Sequence, residues 1–114
     1  MNLKDYQKLC QKTKANFKNK EKEILTYGLG VAGEAGDIAG CIKKTHCHDD
    51  DQKKGIRENL GDTMWYVAII GNFYGWDLEE ILEDNINKLK RRYKKGHFTF
   101  EQARRKGKRM DWNE

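Results

Sequence analysis

The 114-residue chain contains no proline. At the ordinary frequency of ~5%, about six would be expected. Proline breaks helix interiors, because it lacks a donor and its ring clashes with the preceding turn. A chain without it can run long, uninterrupted helices. Hydrophobic residues make up 37% of the chain and charged residues 36%. That is enough for one modest core beneath a heavily charged surface, and a second independent core would not fit.

Apolar spacing predicts four helices. The first covers about residues 3–17, with Leu3, Tyr6, Leu9, Cys10 and Phe17 near helical spacing. The second covers about residues 22–44. The third covers residues 53–74, with Ile56, Leu60, Met64, Val67 and Ile70 or Gly71 on one face. Residues 45–51, Thr-His-Cys-His-Asp-Asp-Asp, read as the loop between the second and third. Gly75 can close the third helix, and Asp77 with Glu80 three residues on has the spacing of a capping box. The fourth helix carries Leu78, Ile81, Leu82, Ile86 and Leu89 as its apolar stripe. The expected fold class is all-α, a four-helix-type bundle with short connections. Residues 1–98 form its single domain, and residues 99–114 a basic tail that Phe98, Phe100, Met110 and Trp112 can pin.

The second helix is rich in glycine, and each costs about 1 kcal/mol against alanine in a helix interior. Gly28, Ala32, Gly36 and Gly40 recur every four residues, so they form one smooth stripe that a backbone or a ligand can approach closely. Beside it stand Glu34 and Asp37, three apart and pointing the same way. On the third helix Glu58 and Asp62 are four apart, with Asn59 and Tyr66 within a turn of Asp62. If the two helices pack antiparallel, the two acidic sets face each other. Oxygen ligands on two rigid elements are what a hard cation such as Mg²⁺ selects. The bland reading is two solvated helix faces, since acids are common here. Small neighbours around Glu34 and Asp37 weigh against it, because they leave room for something other than protein.

Three stretches in this order resemble the MazG-like nucleoside triphosphate pyrophosphohydrolases. They are Gly28-Leu29-Gly30-Val31-Ala32-Gly33-Glu34-Ala35-Gly36-Asp37, then Leu60-Gly61-Asp62-Thr63-Met64-Trp65-Tyr66, then Asn85-Ile86-Asn87-Lys88-Leu89-Lys90-Arg91-Arg92-Tyr93. The resemblance covers about residues 25–98 and implies an all-α enzyme that splits a triphosphate between its α- and β-phosphates. It implicates Glu34, Asp37 and Asp62 as Mg²⁺ ligands, with Mn²⁺ as a substitute. This chain departs from the pattern at Asn59, where the family has glutamate. Either Asn59 ligates through its amide oxygen or Glu58 takes that place. Asp62 or Glu58 is the expected catalytic group that orients or deprotonates the attacking water. The expected substrate contacts are Tyr66 on a phosphate, Trp65 on the base, and Asn85, Lys88, Arg92 and Tyr93 at the end of the fourth helix. A packing role for Trp65 and a helix-dipole role for the basic residues are the alternatives. By the same resemblance the chain is expected to work as a homodimer or a dimer of dimers, in nucleotide-pool housecleaning.

Basic residues outnumber acidic ones 23 to 18, a formal net charge of +5. They cluster at both ends, at Lys4, Lys8, Lys12, Lys14, Lys18, Lys20 and Lys22 and again in the run 104–109. Such ends suit an anionic ligand held through a metal, and suit nucleic acid equally. The alternative function is therefore a non-enzymatic basic helical module for nucleic acid or protein partners; the hydrolase does not require nucleic acid. Three cysteines, Cys10, Cys41 and Cys47, suggest free thiols in a reducing compartment. Neither a signal-peptide pattern at residues 1–5 nor a membrane-length apolar run is present, so a cytoplasmic protein without membrane contact is expected. His46-Cys47-His48 resembles a soft-metal cluster only superficially, since adjacent loop residues make poor tetrahedral geometry.

Overall fold

A computed structural model describes residues 1–94 and 96. Its described regular elements are all helical: α1 (Leu3–Thr13), α2 (Lys20–Cys47), α3 (Lys53–Tyr74) and α4 (Leu78–Arg92). The chain is all-α, as expected. The aromatic anchors Phe98, Phe100 and Trp112, with Met110 and the basic run 104–109, lie outside the described residues. The chain divides into two compact units, residues 1–78 and a second beginning at Glu79.

In the first unit α1 and α2 each start where a side chain can satisfy an orphan donor. Asn2 Oδ1 accepts from the Asp5 N–H at 2.8 Å, and Asn19 Oδ1 accepts from the Lys22 N–H at 3.0 Å. These are N-caps of a favoured type, worth about 1 kcal/mol each. Helix α2 therefore opens two residues earlier than apolar spacing alone suggests. α1 ends earlier than expected, at Thr13, whose hydroxyl donates to the Cys10 carbonyl at 2.8 Å. Phe17 lies beyond the helix yet still packs on the core, edge-on to Tyr27 with ring centroids 5.9 Å apart.

The expected loop is shorter than its polarity implies. Thr45, His46 and Cys47 form the last turn of α2. Thr45 Oγ1 donates to the Cys41 carbonyl and accepts from the Gln52 N–H, so the turn is stapled from both sides. Helix α3 ends at Gly75 in the left-handed region, with φ 74°, where the Trp76 N–H reaches back to the Gly71 carbonyl.

α2 and α3 pack antiparallel, and two close contacts set their register. The Cys41 thiol lies against the backbone at Gly55, and the Tyr66 ring lies against Gly30. Eleven residues separate Cys41 from Gly30 on α2, and eleven separate Gly55 from Tyr66 on α3. The same register therefore sets Glu34 across from Asp62 and Asp37 across from Asn59. Helix α1 crosses the later part of α3. The core contains Cys10, Tyr27, Ala68, Ile69 and Leu78, surrounded by Leu3, Tyr6, Ile24, Trp65, Val67 and Phe73. Burying Ile69 and Leu78, which are 1% and 0% exposed, stabilises the fold by roughly 2–3 kcal/mol apiece.

The buried face of α3 follows the apolar stripe only in its later half, where Val67, Ile70 and Gly71 pack on or into the core. Ala68, Ile69 and Gly71 face the core, while Leu60 is 52% exposed and Met64 37%. α3 carries apolar residues on two faces, and periodicity cannot say which one the chain itself covers. In the second unit, α4 has Glu79 and Glu80 in its first turn and Lys90, Arg91 and Arg92 in its last, matching the helix dipole.

Candidate metal and triphosphate site

Glu34 is the centre of the acidic group. Its Oε2 is buried with no hydrogen-bond partner. Burial raises its carboxyl above the ordinary glutamate range, and the charges of Asp62, Asp37 and Glu58 raise it further, in that order. The four carboxylates predicted from sequence therefore share one electrostatic neighbourhood, spread over two helices that the Gly30–Tyr66 contact holds close. Asp37, Glu58 and Asp62 have exposed side chains, which leaves them free to turn.

Asn59 is half-buried, and its amide nitrogen donates to Cys41 Sγ at 3.7 Å. The residue standing in for the family's glutamate is thus tied back along α2 toward the connecting turn. Like-charge crowding and an orphaned carboxylate oxygen are features that a divalent cation resolves. The donors are all hard oxygens, so the residues fit Mg²⁺ better than a softer metal. Among the described residues no three His, Cys, Asp or Glu side chains stand together as a group that could hold a metal ion, so Asp37, Glu58 and Asp62 would have to turn toward Glu34 to share one. His46, Cys47 and His48 are all exposed, consistent with a solvated segment.

Tyr66, one turn after Asp62, is half-buried over Gly30. Trp65 makes packing contacts: its indole N–H donates to Thr13 Oγ1 at 2.8 Å, and its ring stands edge-on to Tyr27 and Tyr66. The residues expected at the end of the fourth helix belong to the second unit. Asn85 is exposed there; Lys88, Arg92 and Tyr93 are half-buried, with the Arg92 guanidinium 6.0 Å from the Tyr93 ring.

One neighbour of the acids is invisible to sequence reasoning. Burial and a hydrogen bond with the Cys10 thiol push the Tyr6 phenol up to about 12, and the Asp62 charge adds to the shift. α1 thereby brings an aromatic hydroxyl within electrostatic reach of the site. No spacing signal marks Tyr6, because an aromatic on an apolar helix face reads as core.

Comparison with known proteins bears on this geometry directly. The family model for the MazG nucleotide pyrophosphohydrolase domain matches residues 22–97, which include the whole acidic group. The chain belongs to the MazG family. A relative, the Gene 37 protein of Mycobacterium phage L5, is 36% identical over 80 residues, covering 65% of this chain and 70% of that one. No solved structure matches significantly. MazG membership points to nucleoside triphosphate pyrophosphohydrolase chemistry, and the matched span places Glu34, Asp37, Glu58 and Asp62 inside the domain. No helix among the described residues is long and apolar enough to cross a membrane.

Proposed function

We propose that this MazG protein hydrolyses a nucleoside or deoxynucleoside triphosphate between the α- and β-phosphates, releasing a nucleoside monophosphate and pyrophosphate. The observation that carries the reading is Glu34 Oε2, buried without a partner among Asp62, Asp37 and Glu58. Glu34, Asp37 and Asp62 would hold Mg²⁺, or Mn²⁺ in its place, and the Asn59 amide oxygen or Glu58 would complete the set. Bound there, the cation supplies neutralisation of the triphosphate and a more acidic water. Exposed Asp62 and Glu58 orient the attacking water and accept its proton as the new P–O bond forms and the bond to the pyrophosphate oxygen breaks. The rigid α2–α3 pair holds that geometry. Tyr66 is suited to a phosphate hydrogen bond and Trp65 to the edge of a base pocket. Family position supports Asn85, Lys88, Arg92 and Tyr93 as further contacts, in the same subunit or in a second copy.

A homodimer or dimer of dimers is part of the proposal. Leu25 and Leu29 on α2 are 59% and 74% exposed, and Leu60 and Met64 on α3 are bare as well. Such apolar exposure beside an acidic cleft suits a second copy of the chain. Free, sparse thiols support a reducing, cytoplasmic setting, and clearing nucleotide pools is the role the proposed reaction suits.

The test is a panel of the eight standard triphosphates and several modified ones, with Mg²⁺ or Mn²⁺, scored for pyrophosphate. Release from at least one, abolished by EDTA and by Asp62→Ala, supports the reading. Failure of every triphosphate, with the chain folded, overturns it.

A further inference from the structure

Away from the carboxylates, where α1 meets the end of α3, the surface opens into a cavity of about 440 Å³. We propose that this cavity and its rim bind single-stranded nucleic acid, one base resting on Trp76 and the adjoining backbone phosphates meeting Lys4 and Lys8. The proposal does not depend on the hydrolase reading.

The wall from α1 supplies charge. Lys4 and Lys8 line the cavity and are both exposed. One helical turn separates them, a rise of about 6 Å, so their ammonium groups can follow a backbone instead of gripping one point. The wall from the α3 turn supplies a π-surface. Trp76 lines the cavity and is 56% exposed, and it stacks on Tyr74, itself 49% exposed, with centroids 4.7 Å apart and 22° between planes. Two large aromatic rings stacked on each other and left half in water gain little for the fold. They form a platform that a further ring can extend, and a base stacked on an aromatic side chain is worth about 1–3 kcal/mol.

The floor is rigid and polar, built from the amides of Gln7 and Asn72. These are already hydrogen-bonded to each other, and Gln7 also to the Trp76 carbonyl, so the platform cannot swing with the loop.

Charge decides which ligand fits. Asp77 also lines the cavity, so the two lysines leave a net charge near +1. That suits backbone phosphates carrying one charge apiece, one to each lysine, and falls well short of a free triphosphate. Duplex is disfavoured as well, because its bases are already stacked and paired, whereas a single strand presents a free face. The other lysines of residues 1–22 add a long-range field that draws a strand in. Lys14 is the exception, since it is committed to Glu23 at 3.1 Å.

The experiment is fluorescence anisotropy of labelled dT₁₂ on the full chain, titrated at several salt concentrations without Mg²⁺, with tryptophan quenching as a second readout. Expected are salt-dependent binding, roughly tenfold weakening by Trp76→Ala, and a salt slope shallower by about 1.4 in the double variant Lys4→Gln/Lys8→Gln. Trp76→Leu, which keeps apolar bulk, should weaken binding as Trp76→Ala does, and thermal melts establish that each variant is folded. Asp62→Asn should bind dT₁₂ as the parent does. Absence of binding at low salt, or binding that the Trp76 and lysine variants leave unchanged, overturns the proposal. So does competition by dTMP at the same molar concentration as dT₁₂, which would assign the cavity to a free nucleotide.

Discussion

Gln7 and Asn72 exchange hydrogen bonds in both directions: Gln7 Nε2 donates to Asn72 Oδ1 at 3.1 Å, and Asn72 Nδ2 donates to the Gln7 carbonyl at 2.9 Å. The same buried Gln7 side chain donates to the Trp76 carbonyl and accepts from the Leu78 N–H at 2.8 Å. One glutamine thus ties α1 to the end of α3 and to the first residue of α4. Replacing it by leucine would orphan the Leu78 N–H and the Trp76 carbonyl, at about 1–3 kcal/mol for a buried unsatisfied group. Gln7→Leu should therefore lower the urea-derived stability by about 2–3 kcal/mol. An unchanged midpoint would mean that the clamp contributes nothing.

Gly30 and Gly40 lie on the same helix, yet adding a methyl group should do opposite things. At Gly30 a Cβ would collide with the Tyr66 ring, whereas at Gly40 it meets nothing within 4 Å. Gly40→Ala should stabilise the protein by about 0.5–1 kcal/mol through helix propensity. Gly30→Ala should destabilise it by about 1–3 kcal/mol, the usual cost of overpacking. Chemical denaturation of the two variants side by side decides the matter.

Glu23 makes the fold sensitive to acid. The Tyr27 hydroxyl, with Lys14 helping, holds its carboxyl below the ordinary value of 4.5, overcoming the opposing effect of burial. Between the folded pKa and 4.5 the unfolded chain binds more protons than the folded one, so stability rises with pH there. The contribution is complete above 4.5 and is lost as pH falls through the folded value. Tyr27→Phe should flatten the stability profile below pH 4.5, as read from urea midpoints at pH 3, 4 and 7. A profile as steep as the parent's would remove Glu23 as the cause.

Metal binding should follow the crowded carboxylates. Mg²⁺ should raise the melting temperature of the parent and do so far less for Glu34→Gln or Asp62→Asn, as for any ligand that binds only the folded state. Pyrophosphate release should fall at least ~100-fold in both, the range seen when a main source of electrostatic stabilisation is removed. Full thermal stabilisation of Glu34→Gln by Mg²⁺ would show that the ion sits elsewhere.

Ile69→Ala leaves a cavity at the centre of the core and should cost about 2–5 kcal/mol. Leu60→Ala on the exposed face should cost less than 1 kcal/mol in a monomer. A larger loss at Leu60 that depends on protein concentration would reveal a second copy covering that face.

The helices themselves were legible in the sequence. The absence of proline, the polar break after α2 and Gly75 placed α3 at Lys53–Tyr74, the bounds it has. The acidic set was legible as well, because carboxylates three and four apart must share a face. Other features, besides Tyr6, were hidden. The extra turn of α2 through Cys47 rests on Thr45, whose double hydrogen bond looks like ordinary loop polarity in a string of letters. The bare face of Leu60 and Met64 could not be told from the buried one, since both repeat at helical spacing. The close approach falls at Gly30, off the stripe of Gly28, Ala32, Gly36 and Gly40 that drew attention, because interhelix register and not periodicity decides which glycine meets a ring.

Gly30 lies one turn before Glu34, and Tyr66 one turn after Asp62. The gap between the two acidic helices is therefore gauged by a ring resting on bare backbone, a contact without charge. Salt, pH and bound cations act strongly on the carboxylates and hardly at all on that spacer. Changing the thickness of the pair, by a methyl at 30 or a smaller side chain at 66, offers a way to widen or narrow the gap between the acidic helices while every carboxylate stays in place.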